Sequence, residues 1–239
     1  MPEGRRVLVP DIRLRIELLD TDPLVWRRVV VPEQINLHRF HELIQDVMGW
    51  GDCHLYEFEC NGRYYGEPDE WSDRSIALAR NAKLKALAAR AKGGAFHYLY
   101  DFGDGWEHRI VIEATGLKET NPCPRLIDGA MACPPEDIGG TVGYAALKAA
   151  AAGEKDSYGQ ELLEALDGEF DPEALGEEEI ADMLEPFQAG FRRFGSAPRT
   201  PRPAREQLLD VEASLKAQGI HSIEELMQVL QGEIDKNRQ

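Results

Sequence analysis

Phe96-His97-Tyr98-Leu99-Tyr100-Asp101-Phe102-Gly103-Asp104-Gly105-Trp106-Glu107-His108-Arg109-Ile110-Val111-Ile112 is the stretch whose pattern decides the fold. Phe96, Tyr98, Tyr100 and Phe102 alternate with His97, Leu99 and Asp101. Trp106, His108, Ile110 and Ile112 alternate in the same way with Glu107, Arg109 and Val111, so each half reads as a strand with one apolar face. A two-residue Asp104-Gly105 turn would put the two apolar faces on opposite sides of the sheet. A three-residue Gly103-Asp104-Gly105 loop pairs Phe102 with Trp106 and unites them, and because a slip of one residue flips every side chain, burial selects this register. It places His108 beside Tyr100 on the packed face and Asp101 opposite Glu107. Facing carboxylates repel unless a cation lies nearby, and sequences break local rules of this kind at functional sites. Asp101, Asp104 and His108 are therefore the candidate catalytic residues.

Working outward, Ile12, Leu14, Ile16 and Leu18 alternate with Arg13, Arg15 and Glu17. The turn-forming Asp20-Thr21-Asp22-Pro23 separates this run from a β-branched one, Leu24 to Val31, which predicts another hairpin. Asn36 is placed to cap a helix carrying Leu37, Phe40, Ile44, Val47 and Met48, with Gly49 as its stop. His41 falls on that apolar stripe and reads as a core histidine. Asn61-Gly62 between His54–Cys60 and Arg63–Tyr65 is a strong hairpin signal, because both turn positions need positive φ.

Residues 66–80 read as irregular, 82–91 as helix, and 121–140 as a long proline-rich loop. Beyond it, Thr141–Ala152, a Ser157/Gln160 capping box and Asp171-Pro172 each predict helix. Pro186, inside the stripe of Ile180, Met183, Leu184, Phe187 and Phe191, is expected to kink or split its helix. The fold class is thus α+β, a mainly antiparallel sheet of hairpins covered by helices with a helical second half. The expected division is a domain over 1–191, an Arg/Pro-rich linker over 192–205 and a helical appendage over 206–239.

Composition limits the function. The chain of 239 residues carries 27 basic against 43 acidic side chains, a formal charge of −16 that repels phosphate backbones and disfavours nucleic-acid binding by the core domain. The five arginines of 192–205 are the one basic island, read first as a linker and alternatively as a weak nucleic-acid contact. No apolar run is long enough to span a membrane, and the start lacks a signal-peptide core, so a cytoplasmic location without membrane contact is expected.

Cys53, Cys60, Cys123 and Cys133 match neither a zinc-knuckle spacing nor a disulfide scaffold. Cys123 and Cys133 are the weak metal candidates. His54, Glu136 and Asp137 join Trp106 as binding candidates, while a divalent-metal site would use Asp101, Asp104 and His108 with His54 or His41, because carboxylates and imidazoles are apt ligands. Acids beside Gly139-Gly140 also commonly shape loops by accepting backbone N–H bonds. No ligand spacing of the HExxH kind appears, and no cofactor is predicted, a divalent metal being the alternative.

The chain resembles the plasmid pRiA4b ORF-3-like family. The residues that carry the resemblance are Pro23 to Arg28, Val31-Pro32, Leu37 to His41, Ile44-Gln45, Met48 to Trp50, His54-Leu55 with Phe58, Tyr65-Gly66, Tyr100 to Trp106 with His108, and Cys133 to Asp137 with Gly139-Gly140 and Tyr144. It implies an α+β fold with a mainly antiparallel sheet, an association with plasmids or mobile elements, and no assigned activity. Ile138 stands where many members carry cysteine, which argues against a thiolate cluster with Cys123 and Cys133. A resolvase-like label sometimes attached to such proteins fits poorly, since no helix-turn-helix pattern accompanies the acidic charge. These readings favour a non-enzymatic interaction module with a protein partner. The alternatives are a metal-assisted hydrolase or nuclease-like enzyme using Asp101, Asp104 and His108, and weak nucleic-acid binding through 192–205.

Overall fold

The computed structural model describes residues 10–67, 75–118 and 123–194, with side chains through Gln188. Two compact units, 1–197 and 198–239, divide the chain, and every described residue lies in the first. The appendage over 206–239, Trp71, and the linker beyond Phe194 fall outside the described residues.

Eight strands form one sheet: β1 (Asp11–Leu18), β2 (Val25–Pro32), β3 (Tyr56–Cys60), β4 (Arg63–Gly66), β5 (Ile76–Leu78), β6 (Ala95–Tyr100), β7 (Trp106–Leu117) and β8 (Arg125–Ala130). Their order is β5-β4-β3-β6-β7-β1-β2-β8, and every pairing is antiparallel except β4 with β5. Among the described residues, five α-helices accompany them: α1 (Leu37–Met48), α2 (Leu84–Arg90), α3 (Gly140–Ala151), α4 (Ser157–Glu164) and α5 (Glu177–Phe194).

The alternation read from the sequence sets which face is covered. Ile12, Leu14, Ile16 and Leu18 are fully buried with Phe58, Phe96, Tyr98 and Ile110 on one face, against which α1 lays Leu37, Phe40, Ile44 and Val47. Phe40 stacks on Phe58 with ring centres 5.8 Å apart. Burying a side chain of this size contributes roughly 1.5–3 kcal/mol, so the sheet and α1 form one core. Arg27 also points to the core side and is 2% exposed. Its guanidinium donates to the carbonyls of Val47, Trp26 and Ala130, which ties β2 to the end of α1 and to β8. The opposite face carries ion pairs such as Arg28–Glu113 and a Trp26 ring flanked by Arg15 and Arg28.

Several local expectations hold. Asn36 accepts the Arg39 N–H as N-cap of α1, and Gly49 closes the helix in the left-handed conformation. Asn61 and Gly62 both have positive φ between β3 and β4. Others need correction. The central hairpin pairs Tyr100 with Trp106, Tyr98 with His108 and Phe96 with Ile110, so its loop is Asp101 to Gly105 rather than Gly103 to Gly105.

The two apolar faces are united as the pattern requires, but the register moves by two residues. The cause is Asp101, whose φ of 53° ends β6 early. Its backbone N–H turns away to the Leu55 carbonyl, and its carbonyl accepts the Gly105 N–H at 2.7 Å. Leu99 rather than Asp101 therefore faces Glu107, and the expected carboxylate conflict does not exist. Phe102, expected on the packed face, is 53% exposed.

β5 and β8 arise in segments read as irregular. β8 can lie against β2 because a side chain at Gly129 would meet the Trp26 carbonyl at 3.0 Å and Leu175 at 2.7 Å. Asp156, not Ser157, caps α4 by accepting the Gly159 N–H, and Asp171 makes a turn rather than opening a helix. Pro186 does not split α5. It sits on the exposed side, where the missing backbone bond faces water, and the helix continues through Arg192 and Arg193 to Phe194.

Candidate functional site

Three segments far apart in sequence meet beyond the end of β6: the turn 51–55 between α1 and β3, the hairpin tip 101–105, and the stretch 133–140 leading into α3. Each carries an aspartate in the left-handed conformation, Asp52 at φ 57°, Asp101 at 53° and Asp137 at 57°. Aspartate tolerates this region because its short carboxylate bonds locally to the backbone, and Asp101 does so, its Oδ1 accepting the Gly103 N–H at 2.9 Å. Three such residues around one point mark the place where the chain is bent to present side chains.

The turn 51–55 is held on all sides. The Trp50 indole donates to the Pro134 carbonyl at 2.8 Å, the Asp52 N–H donates to the Gln45 side chain at 3.0 Å, and the Cys53 N–H donates to the Tyr100 hydroxyl at 3.1 Å. Asp52 Oδ1 lies 2.6 Å from Nε2 of His41, whose Nδ1 lies 2.7 Å from the Tyr98 hydroxyl. His41 is fully buried and stacked on Tyr56 at 3.6 Å, so it is the core histidine its helical position implies. Burial pushes the Tyr98 hydroxyl well above its ordinary pKa, which keeps it a neutral member of this chain.

The segment 133–140 is fixed just as closely. The Tyr100 hydroxyl donates to Glu136 Oε1 at 2.8 Å, and the Gly51 N–H donates to the same oxygen at 2.8 Å. Burial first, and the Glu136 carboxylate second, raise the Tyr100 pKa, so the phenol stays a proton donor. Asp104 Oδ2 accepts the Gly139 N–H at 3.2 Å, and a side chain at Gly140 would strike the Asp104 carbonyl at 2.5 Å. The hairpin tip is thereby docked on the start of α3.

What these contacts bring together is a cluster of one imidazole and three carboxylates, termed the cup. His54 Nε2 lies 3.0 Å from Asp137 Oδ1, 3.7 Å from Asp101 Oδ2 and 3.8 Å from Glu136 Oε2. One donor atom from each of His54, Asp101 and Asp137 falls within 4.8 Å of the others, an arrangement suited in size to a metal ion. Leu55 and Phe102, 55% and 53% exposed, directly follow His54 and Asp101.

The expected trio is therefore regrouped. Asp101 belongs to the cup, Asp104 serves as a strut, and His108 is buried. His108 Nδ1 lies 2.9 Å from the Trp106 carbonyl, the ring packs edge-on to Trp50 at 5.5 Å, and burial pushes its pKa down to about 4. The three do not form one site. Trp106 is 1% exposed and stacks with Trp50, so it anchors the core beneath the cup rather than a ligand.

Cys123 and Cys133 flank β8, whose six residues span roughly 20 Å. Cys123 donates to the Val30 carbonyl and Cys133 packs on Met48 and Arg27, so they share no site. Burial raises both thiols, that of Cys133 to about 11. Sequence reasoning set Asp101 with Asp104, His108 and His54 or His41, kept Glu136 and Asp137 apart as a loop-shaping pair, and missed Tyr100 as the clamp on Glu136.

A mainly antiparallel α+β domain with this cup at one end of its sheet defines a class of protein that the comparisons identify. The chain belongs to the plasmid pRiA4b ORF-3-like protein family, whose pattern matches residues 10–179. It is 46% identical over 134 residues to uncharacterized protein y4hQ of Sinorhizobium fredii, covering 56% of this chain and 69% of that one. It also resembles the crystal structure of a protein of unknown function, MM3350 from Methanosarcina mazei, with a TM-score of 0.64 and 28% identity. That match covers 73% of this chain and 98% of the other. Among the described residues, no helix is long and apolar enough to cross a membrane.

Proposed function

We propose that this domain is a cytoplasmic, non-enzymatic interaction module whose recognition face is the cup and its rim. The observation that carries the reading is the pairing of two large exposed apolar side chains, Leu55 and Phe102, with polar groups held rigidly from beneath by Tyr100, Gly51 and Asp104. Exposed apolar surface rimmed by polar groups marks an interaction site. The Asp137 side chain is 72% exposed, and this suits a macromolecular surface better than an engulfed small substrate.

The regrouping of the expected trio also supports this reading over the hydrolase, because His108, the base that enzyme would need, is sealed in the core. The association with plasmids or mobile elements belongs to the same proposal. The test is affinity capture from the native host with the wild-type chain and with a Leu55→Asp/Phe102→Asp double variant of unchanged melting temperature. A partner retained by the wild type and lost by the variant is expected. A partner held equally by both contradicts the assignment of the face.

A further inference from the structure

We infer that His54, Asp101 and Asp137, with Glu136 behind them, hold a divalent cation of the Zn²⁺ or Mn²⁺ class. The inference deepens the binding-face reading by giving that face a metal, but it stands on geometry that requires no partner.

Proximity of acids alone would not carry it. Two further observations do. The first is Asp101, a side chain only 10% exposed. Gly103 satisfies its Oδ1, while its Oδ2 faces His54 Nε2 at 3.7 Å, an ion-pair distance beyond hydrogen-bond reach. A largely buried carboxylate is stabilised when a cation meets it. The second is His54 Nε2 itself. It is sealed from solvent and makes no hydrogen bond, although Asp137 Oδ1 is only 3.0 Å away, because the two are out of line. An imidazole nitrogen and two carboxylate oxygens that converge without bonding one another are arranged around a shared centre.

The electrostatics point the same way. Three carboxylates meet one imidazole here, and among the described residues the cup's ion pairs involve His54 alone, with no lysine or arginine. A divalent ion removes that repulsion. The donor set selects the class of ion. Imidazole suits zinc and its neighbours, carboxylates suit manganese and magnesium, and a mixed set with one nitrogen fits Zn²⁺ or Mn²⁺ better than all-oxygen Ca²⁺.

Ligand atoms bound at about 2.1 Å around a tetrahedral ion stand about 3.4 Å apart, so a modest inward swing of the exposed Asp137 closes the shell. Glu136 Oε1 is held by Tyr100 and Gly51, leaving Oε2 free to complete the coordination or to orient a bound water.

The experiment is calorimetric titration of the chelator-stripped full chain with Zn²⁺ and, separately, Mn²⁺. The variants are His54→Ala, Asp101→Asn and, as a control on an exposed acid of α5, Asp182→Asn. Binding of one equivalent of at least one ion is expected for the wild type and for D182N, with a higher melting temperature. H54A and D101N should each weaken binding at least tenfold while melting, metal-free, close to the wild type. Absence of binding to the wild type at millimolar ion overturns the inference. So does H54A binding as tightly as the wild type, which would assign the signal to surface acids or thiols. Neither result touches partner capture through Leu55 and Phe102, so the two proposals fail separately.

Discussion

The hydroxyl of Tyr100 donates to Glu136 Oε1 at 2.8 Å, joining the last residue of β6 to the loop before α3 across 36 positions of sequence. The same hydroxyl receives the Cys53 N–H, so one side chain fixes all three segments of the cup. Tyr100→Phe keeps the ring and removes the clamp. A hydrogen bond to a charged group contributes about 1.5–3 kcal/mol, and a loss of that size is expected in urea denaturation, with an unchanged m-value. A phenylalanine variant as stable as the wild type would show the contact to be idle.

His41 of α1 and His54 of the following turn have opposite roles, and stability separates them. His41 is fully buried between Asp52 and Tyr98, so His41→Ala opens a cavity and leaves the Tyr98 hydroxyl with Gln45 as its remaining partner. The expected cost is about 3 kcal/mol or more. His54, partly exposed and without a hydrogen bond at Nε2, should cost under about 1 kcal/mol when truncated. Equal losses would contradict the division between structural and ligand histidine.

His108 gives the fold a pH dependence. Burial lowers its pKa from 6.5 to about 4, so between those values the unfolded chain binds a proton that the folded chain refuses. Stability is therefore full above about pH 6.5 and falls as pH drops towards 4, by up to ~3 kcal/mol. His108→Leu removes this titration, and the difference between wild type and variant across pH 4–6.5 measures it. A pH-independent difference would place a charged or solvated imidazole at this position.

The docking of the hairpin tip depends on Gly140, whose φ is 66° and whose missing side chain makes room for the Asp104 carbonyl 2.5 Å away. Gly140→Ala must displace backbone and should cost about 2 kcal/mol or more, against roughly 1 kcal/mol for Gly153→Ala, where φ is also positive but nothing lies within 4 Å. Comparable losses would show that the tip is not seated on α3.

Much of the fold was legible because period-two alternation and turn chemistry act locally. The β1–β2 and β3–β4 hairpins and α1 with both its caps follow from such signals. The central register was not, because parity fixes which face is buried but leaves a shift of two residues undetermined. That choice fell to Asp101, whose backbone bond goes to Leu55 in another segment. β8 was hidden for a similar reason: an edge strand containing Gly129 gains its pairing from β2 and carries little pattern of its own. Asp101 and His54 could be set together as candidate ligands from the sequence, but their meeting with Glu136 and Asp137 is a tertiary fact.

The most direct test of the recognition face is hydrogen–deuterium exchange of the domain alone and with its captured partner. Protection gained at residues 51–55, 101–105 and 136–140 is the predicted result. Protection confined to the opposite sheet face around Trp26 and Arg28 would contradict it.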